Sequence, residues 1–325
     1  MDFTKRMLPT SADFTFYEAG YFVWCGAMLR HKDVYYLIYS RWPYELGFRA
    51  WVTHSEICLA KSDSILGKFT FVKRLFDDEY DCGNGVRAVF HNPTVITWRG
   101  KYYLYYMMNR GSGDWWDHRN HQRIGVAYTD DPEGEWTRPK EPVIDISEEG
   151  IDSLMTSNPT AVEMPDGRIL MVYKAVSKYG EMPRGGKVIC GAAMADSPLG
   201  PFTKTGKPLF ENPDEPWSVE DPYIWFENGR YYALVKDFHG YFTRTDMSSV
   251  ALFVSDNGLD WSAAENPLGF ARELHYGDRT EPVRNLERPQ LYIENGVPKA
   301  LLCACCESDN SEPTYNIRIP LKADT

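Results

Sequence analysis

Five short motifs in this chain place reactive side chains at a common position. Glu220-Asp221-Pro222 sets two adjacent carboxylates at the head of an apolar run, and Glu287-Arg288-Pro289 sets a carboxylate beside a guanidinium. His91-Asn92-Pro93 and Ser157-Asn158-Pro159 hold the same register without an acid, and Trp24-Cys25-Gly26 completes the set. Two carboxylates facing one ligand suit acid/base work, because shifted proton affinities let one donate a proton while the other activates water. Glu220 is the leading candidate acid and Glu287 its candidate partner. Asp221 is either a substrate contact or a strand-end cap for neighbouring amides. Arg288 either fixes its neighbour's charge or binds substrate. His91 suits a proton carrier, a substrate contact, a group that orients the ligands of a central ion, or a structural histidine.

The spacing of these motifs names the elements that must position them. The prolines at 93, 159, 222 and 289 are 66, 63 and 67 residues apart, and a step of 67 back from Pro93 lands on Gly26. A fixed period of this kind marks a repeat architecture. Each unit opens with a strand-like run and continues through a tight turn such as Asn228-Gly229 or Asn295-Gly296, which suits the positive φ of two-residue hairpins. Paired tyrosines then open a second strand (Tyr35-Tyr36, Tyr102-Tyr103, Tyr231-Tyr232), and a third strand ends at Ser62-Asp63, Thr129-Asp130, Asp196-Ser197 or Ser255-Asp256. A Gly-aromatic turn and a fourth strand close the unit. Four antiparallel strands repeated radially make propeller blades. The prediction is one all-β domain over 1–325, a five-bladed β-propeller with four antiparallel strands per blade, opening near residues 24, 91, 157, 220 and 287. The fifth unit lacks its outer strand, so the stretch 13–18 is expected to pair with 315–321 and close the ring.

Strand direction puts the five motifs on the same face as the long loops. Those loops carry Arg41, Trp42, Trp51 and His54; Trp115, Trp116, Asp117 and His118; the stretch 174–187; and Asp237, His239, Tyr241 and Arg244. Aromatic rings cover the apolar face of a sugar while charged groups bond its hydroxyls. Trp115, Trp116, Asp152, Asp237, His239 and Arg87 are therefore substrate-binding candidates, the alternative for the tryptophans being to pack the loop onto the body. Alternation along the inner strand is expected to turn one of Glu220 and Asp221 to the funnel and the other into the blade interface.

Composition narrows the partners. The net charge is -11 over 325 residues, which repels phosphate backbones, so no nucleic acid partner is expected. No apolar window is long enough to span a bilayer, so no membrane partner is expected either. Neutral ligands, carbohydrate among them, and cationic ones remain open, and the 10 Trp and 21 Tyr favour strands over helices. The seven cysteines (25, 58, 82, 190, 303, 305 and 306) are odd in number, lack paired metal-site spacing and sit in apolar runs. They are expected to be free buried thiols. With no leader-like segment in 1–10, that points to the cytoplasm, or to the periplasm or exterior if a leader precedes this sequence. The oligomeric state is not specified.

Glu220-Asp221-Pro222-Tyr223-Ile224, read with the five repeats, resembles the fourth-blade Glu-Gly-Pro-Tyr-Ile segment of glycoside hydrolase family 43, with family 117 among its relatives. The turn Asp196-Ser197-Pro198-Leu199-Gly200-Pro201-Phe202 is similar to turns of that group. The resemblance implies a glycosidase with inverting chemistry and Glu220 as general acid. It also implies a general base at the position held here by Cys25 and a modulating Asp where this chain has Asn158. The second carboxylate must then come from Glu287, Asp152 or a loop, or else hydrolysis has been lost. Family 117 uses a histidine in acid chemistry, which adds His91 and His239 as alternatives. No cofactor is required; the resemblance allows a structural calcium at the axis, with metal ligands unknown. The expectation is an exo-acting glycoside hydrolase on a plant or algal oligosaccharide. Its rivals are a non-catalytic carbohydrate-binding propeller and a phosphorylase, which would need basic residues clustered beside the acid.

Overall fold

Strand-forming runs separated by tight turns fold as the repeat demands. In the computed structural model the described residues are 1–76, 87–309 and 312–323, the side chain of Arg87 excepted. Five antiparallel sheets form a ring of blades, and each blade's first strand lies innermost. The inner strands are Tyr21–His31, Arg87–Trp98, Met155–Glu163, Val219–Glu227 and Asn285–Glu294. Blades one, three and four contain four strands of their own. Blade two departs from expectation among the described residues: it has three strands, and an isolated bridge, Tyr128↔Thr137, marks the fourth position. A small hairpin, Glu273–His275 with Thr280–Pro282, follows blade four and was not anticipated.

The ring closes as the missing strand required. Thr15–Phe16 pairs with Tyr315–Pro320 through Thr15↔Ile317 and Phe16↔Asn316, supplying blade five with its outer strand. The preceding arm continues the contact through the bridge Met7↔Leu321. Asn228-Gly229 and Asn295-Gly296 have positive φ at both positions, the conformation that a two-residue hairpin turn needs.

The core lies between blades. One apolar cluster joins Leu170, Val172 and Cys190 of blade three to Ile224, Val235 and Phe253 of blade four. Equivalent clusters join blades one and two, two and three, four and five, and five and one. Middle strands are therefore buried on both faces, as in the fully buried Ile169–Val176. Cys25, Cys58, Cys190, Cys303, Cys305 and Cys306 are free and buried, and Cys82 lies outside the described residues.

Candidate active site

Each inner strand breaks its regular pairing at the motif. Register shifts fall between Trp24 and Gly26, His91 and Thr94, Glu220 and Tyr223, and Glu287 and Gln290; in blade three the shift lies opposite Ser157 to Thr160. At every break one residue is left-handed: Cys25, Asn92, Asn158, Asp221 and Arg288, with φ between 35° and 55°. Such a bulge re-aims side chains. Simple alternation therefore fails at Glu220 and Asp221, and both line the same cavity.

The five left-handed residues are hydrogen-bonded to one another around the axis, four of them in a closed ring that Cys25 joins as a donor. The Cys25 thiol donates to Asn92 Oδ1 (3.0 Å), Asn92 Nδ2 donates to Asn158 Oδ1 (2.7 Å), and Asn158 Nδ2 donates to Asp221 Oδ1 (2.6 Å). Arg288 closes the ring, donating from Nη1 to Asp221 Oδ1 (3.4 Å) and from Nη2 to the Asn92 carbonyl (3.3 Å). Burial pushes the Cys25 thiol up to about 11, so it stays protonated at neutral pH and is no base. This donor set does not suit calcium, which wants six or more oxygen ligands. The ring offers one carboxylate, already paired with the Arg288 cation, and among the described residues no cluster of acids, histidines and cysteines could hold a metal.

The preceding residues form the layer above. The cavity there is about 120 Å³, with Trp24, Trp42, Phe48 and Trp51 on one side and Glu220, Asp221 and Glu287 on the other. His91 stacks on Trp51 (5.1 Å between centroids) and its Nδ1 bonds the Ser55 hydroxyl at 2.7 Å. Burial, then the Arg288 charge, holds the His91 imidazole neutral.

Two lysines that sequence reasoning did not single out complete the site. Lys174 and Lys236 occupy corresponding places on the second strands of blades three and four, opposite Ser157 and Glu220. Each reaches the glutamate of the next blade. Lys174 Nζ makes a very short contact with Glu220, and Lys236 Nζ lies 2.7 Å from Glu287, which also accepts from Asn285 Nδ2 at 2.6 Å. Their signal was a lysine within an apolar strand run at 174 and at the end of one at 236. Burial raises the proton affinity of Glu220, but Lys174 and then Lys236 outweigh it and hold the carboxyl below its ordinary range. Asp221 moves the other way: burial, then the Glu220 charge, raises it to about 6 against the opposing pull of Arg288.

That shift has a pH signature. A raised carboxyl favours the folded state fully below its unfolded value near 3.8 and loses that contribution as pH rises to about 6. Asp221→Asn, permanently neutral, is expected to be more stable than wild type at pH 7.5 by about 1–3 kcal/mol, the gap closing below pH 4. Glu220 contributes with opposite sign in both proteins. Urea midpoints across this range measure the gap, and a pH-independent difference would contradict the assignment.

Other predicted contacts lie elsewhere. Asp152 is buried in blade three, accepting from Tyr173 (2.9 Å) and Lys204 (2.6 Å), away from the cavity. Asp237 organises its own loop, accepting from the amides of His239, Tyr241, Phe242 and Thr243. His239 is half exposed, with Glu215 at 3.7 Å. Trp115 and Trp116 begin a short helix, Trp115–Asn120, where a plain loop was expected. Trp115 meets Trp51 edge to face (6.2 Å), so it buttresses the cavity wall, and Trp116 packs on Trp115 (4.9 Å). The Arg87 side chain lies outside the described residues.

Comparison with known proteins agrees with the fold. The model of glycosyl hydrolases family 43 matches residues 78–234. No curated protein matches the chain. Among solved structures, a thermostable family-43 glycoside hydrolase superposes with a TM-score of 0.64 at 16% identity, covering 98% of this chain and 97% of its own. A family 117 glycoside hydrolase produced by the marine bacterium Zobellia galactanivorans gives 0.64 at 18% identity, with 97% and 88% covered. A family 43 β-xylosidase/α-arabinofuranosidase from a compost microbial metagenome, in complex with xylotriose in a calcium-free form, gives 0.61 at 16% identity, with 98% and 95% covered. The chain is a five-bladed β-propeller that resembles the family 43 glycosyl hydrolases, in sequence over residues 78–234 and in fold over nearly its whole length.

Proposed function

We propose that this protein is an exo-acting glycoside hydrolase that takes the terminal sugar of a plant or algal oligosaccharide into its axial cavity. The observation that carries this reading is the cavity itself, where two glutamates from adjacent blades face an aromatic wall. Its volume of about 120 Å³ is far below the roughly 300–1,000 Å³ of pockets for drug-sized ligands, so it suits one sugar ring and not a chain threaded through.

In this mechanism Glu220 protonates the leaving oxygen and Glu287 activates water. Lys174 holds Glu220 ionised while the cavity contains no sugar. A sugar hydroxyl that engages Lys174 weakens this pair, and burial, the largest influence on Glu220, then raises its proton affinity. Lys236 and Asn285 hold the Glu287 carboxylate in place for this role. Incubation with a panel of oligosaccharides is expected to release single sugars from one end from the first minutes. Early release of internal fragments would exclude the exo mode.

A second reading, a carbohydrate-binding propeller without catalysis, is favoured by Cys25 and Asn158 standing where the family resemblance implies acids and by the Lys174–Glu220 pair. Binding of oligosaccharides without hydrolysis of aryl glycosides or natural linkages would select it.

A further inference from the structure

A cavity of about 120 Å³ admits one sugar ring, so the second sugar of an oligosaccharide must rest outside it, on the side where the leaving oxygen meets its acid. One side of the mouth is closed. Trp24, Trp42, Phe48 and Trp51 wall it, and Trp115 packs on Trp51. The glutamates stand on the other side, and near them are two partly exposed rings that the mechanism does not use. Trp217 precedes Glu220 by three residues, and Phe238 follows Lys236 by two.

Distances tie both rings to the two glutamates. Lys174 Nζ, in contact with Glu220, lies 5.9 Å from the centroid of the Trp217 ring. Lys236 Nζ, 2.7 Å from Glu287, lies 4.6 Å from the centroid of Phe238. The two rings meet edge to face at 5.6 Å. Both lysines are buried and both rings partly exposed, so the rings lie nearer the solvent. Their mounts are fixed. The bridge Val188↔Trp217 holds one, with the Val188 amide donating to the Pro216 carbonyl (2.8 Å) and the Ser218 amide to the Val188 carbonyl (3.2 Å). Phe238 opens the loop that Asp237 organises through the amides of residues 239 and 241–243. His239 Nε2 comes within 3.7 Å of Glu215, which brings the two segments together. Rings held in place before a ligand arrives cost little ordering entropy when one binds.

We propose that Trp217 and Phe238 form the subsite for the leaving sugar, and that they take a neutral sugar by stacking against its apolar C–H face. Glu220 must reach the leaving oxygen to protonate it, which brings the leaving sugar to the Trp217 side of the mouth. Lys174 and Lys236 are already paired with the glutamates, so the subsite offers apolar surface rather than charge. This rests on the glycosidase reading with Glu220 as acid, and it narrows the substrate class to chains of two or more sugars with a neutral unit next to the bond that is cleaved.

Isothermal titration of the full chain carrying Glu220→Gln, so that oligosaccharides stay uncut, compares D-xylose with xylotriose, L-arabinose with arabinotriose and D-galactose with galactotriose. For the sugar that binds, the trisaccharide is expected to bind about 10-fold or more tighter than the monosaccharide. Adding Trp217→Leu is expected to remove about 10-fold of that affinity and to leave the monosaccharide unchanged. Leu keeps an apolar contact with Met155, Val176 and Val188 but has no flat face to stack. Phe238→Leu should act in the same direction, which keeps the test valid if Trp217→Leu does not fold. If the monosaccharide and trisaccharide bind alike, or if both variants bind the trisaccharide as the parent does, the subsite is overturned and the glycosidase reading stands. Equal losses for the two sugars also overturn it, because the rings would then act on the cavity through Lys174 and Lys236. If no sugar of the panel binds, both readings fall.

Discussion

Glu220→Gln is expected to lower turnover of a natural glycosidic linkage by about 10²–10⁴-fold, the usual worth of general acid catalysis. Gln keeps the size of the side chain and accepts from Lys174 but has no proton to donate. The loss should appear in kcat with little change in KM, because the missing interaction is made only in the transition state. Aryl glycosides with good leaving groups need little protonation and should lose much less. Lys174→Met supplies a control with a worked sign. The lysine holds Glu220 below its ordinary range, so its removal raises the Glu220 pKa and moves the alkaline limb of the pH–rate profile upward. Steady-state kinetics on one aryl and one natural substrate suffice. Full activity of Glu220→Gln on the natural linkage would move the acid elsewhere, with Asp221, raised to about 6, next in line.

How far this site was legible in the sequence follows from what each residue does. The blade count, the hairpin turns and the closing N-terminal strand are repeated features, and repetition survives in sequence because every blade must bury the same faces against its neighbours. Glu220, Glu287 and His91 were found by register, and the structure brings all three to one cavity. Alternation predicts Asp221 on the opposite face from Glu220; the left-handed residue at each bulge overrides the two-residue period, and no propensity flags a left-handed Cys25 or Arg288. Lys174 and Lys236 were hidden because a lysine in a strand reads as a solvent-facing residue until both strand faces are known to be buried. Asp152 and Asp237 were over-read for the opposite reason. A loop acid that holds its own loop together looks, in sequence, like one that holds a substrate, although an Asp followed at once by a turn of free amides is the pattern of a loop organiser.

Arg6→Ala is expected to destabilise the protein by about 3–5 kcal/mol, a large share of the stability of an ordinary domain. Arg6 forms a two-pronged pair with Glu227, Nη1 to Oε2 at 2.7 Å and Nη2 to Oε1 at 3.1 Å, with side chains only 2% and 6% exposed. Trp225 Nε1 also donates to Glu227 (3.0 Å), and Arg6 Nε donates to the Lys322 carbonyl (3.2 Å). Truncating the arginine leaves a buried carboxylate without its counter-ion, and that uncompensated charge is the larger part of the cost. The double variant Arg6→Met/Glu227→Leu removes both charges and should recover most of the loss, which distinguishes a desolvation penalty from a lost contact. Urea unfolding of the four proteins measures the cycle, and a loss below about 1 kcal/mol for Arg6→Ala would mean the pair is not buried in solution. The effect should reach the site. The arm that Arg6 anchors on blade four also runs along the last strand of blade five, through Leu8 N–H to the Pro320 carbonyl (2.9 Å) and Lys322 N–H to the Arg6 carbonyl (2.9 Å). It therefore straps together the two blades that supply Glu220 and Glu287. A residue far from the cavity thus helps to set the separation of the two glutamates, and activity of Arg6→Ala at a temperature where it remains folded should fall even with both glutamates intact.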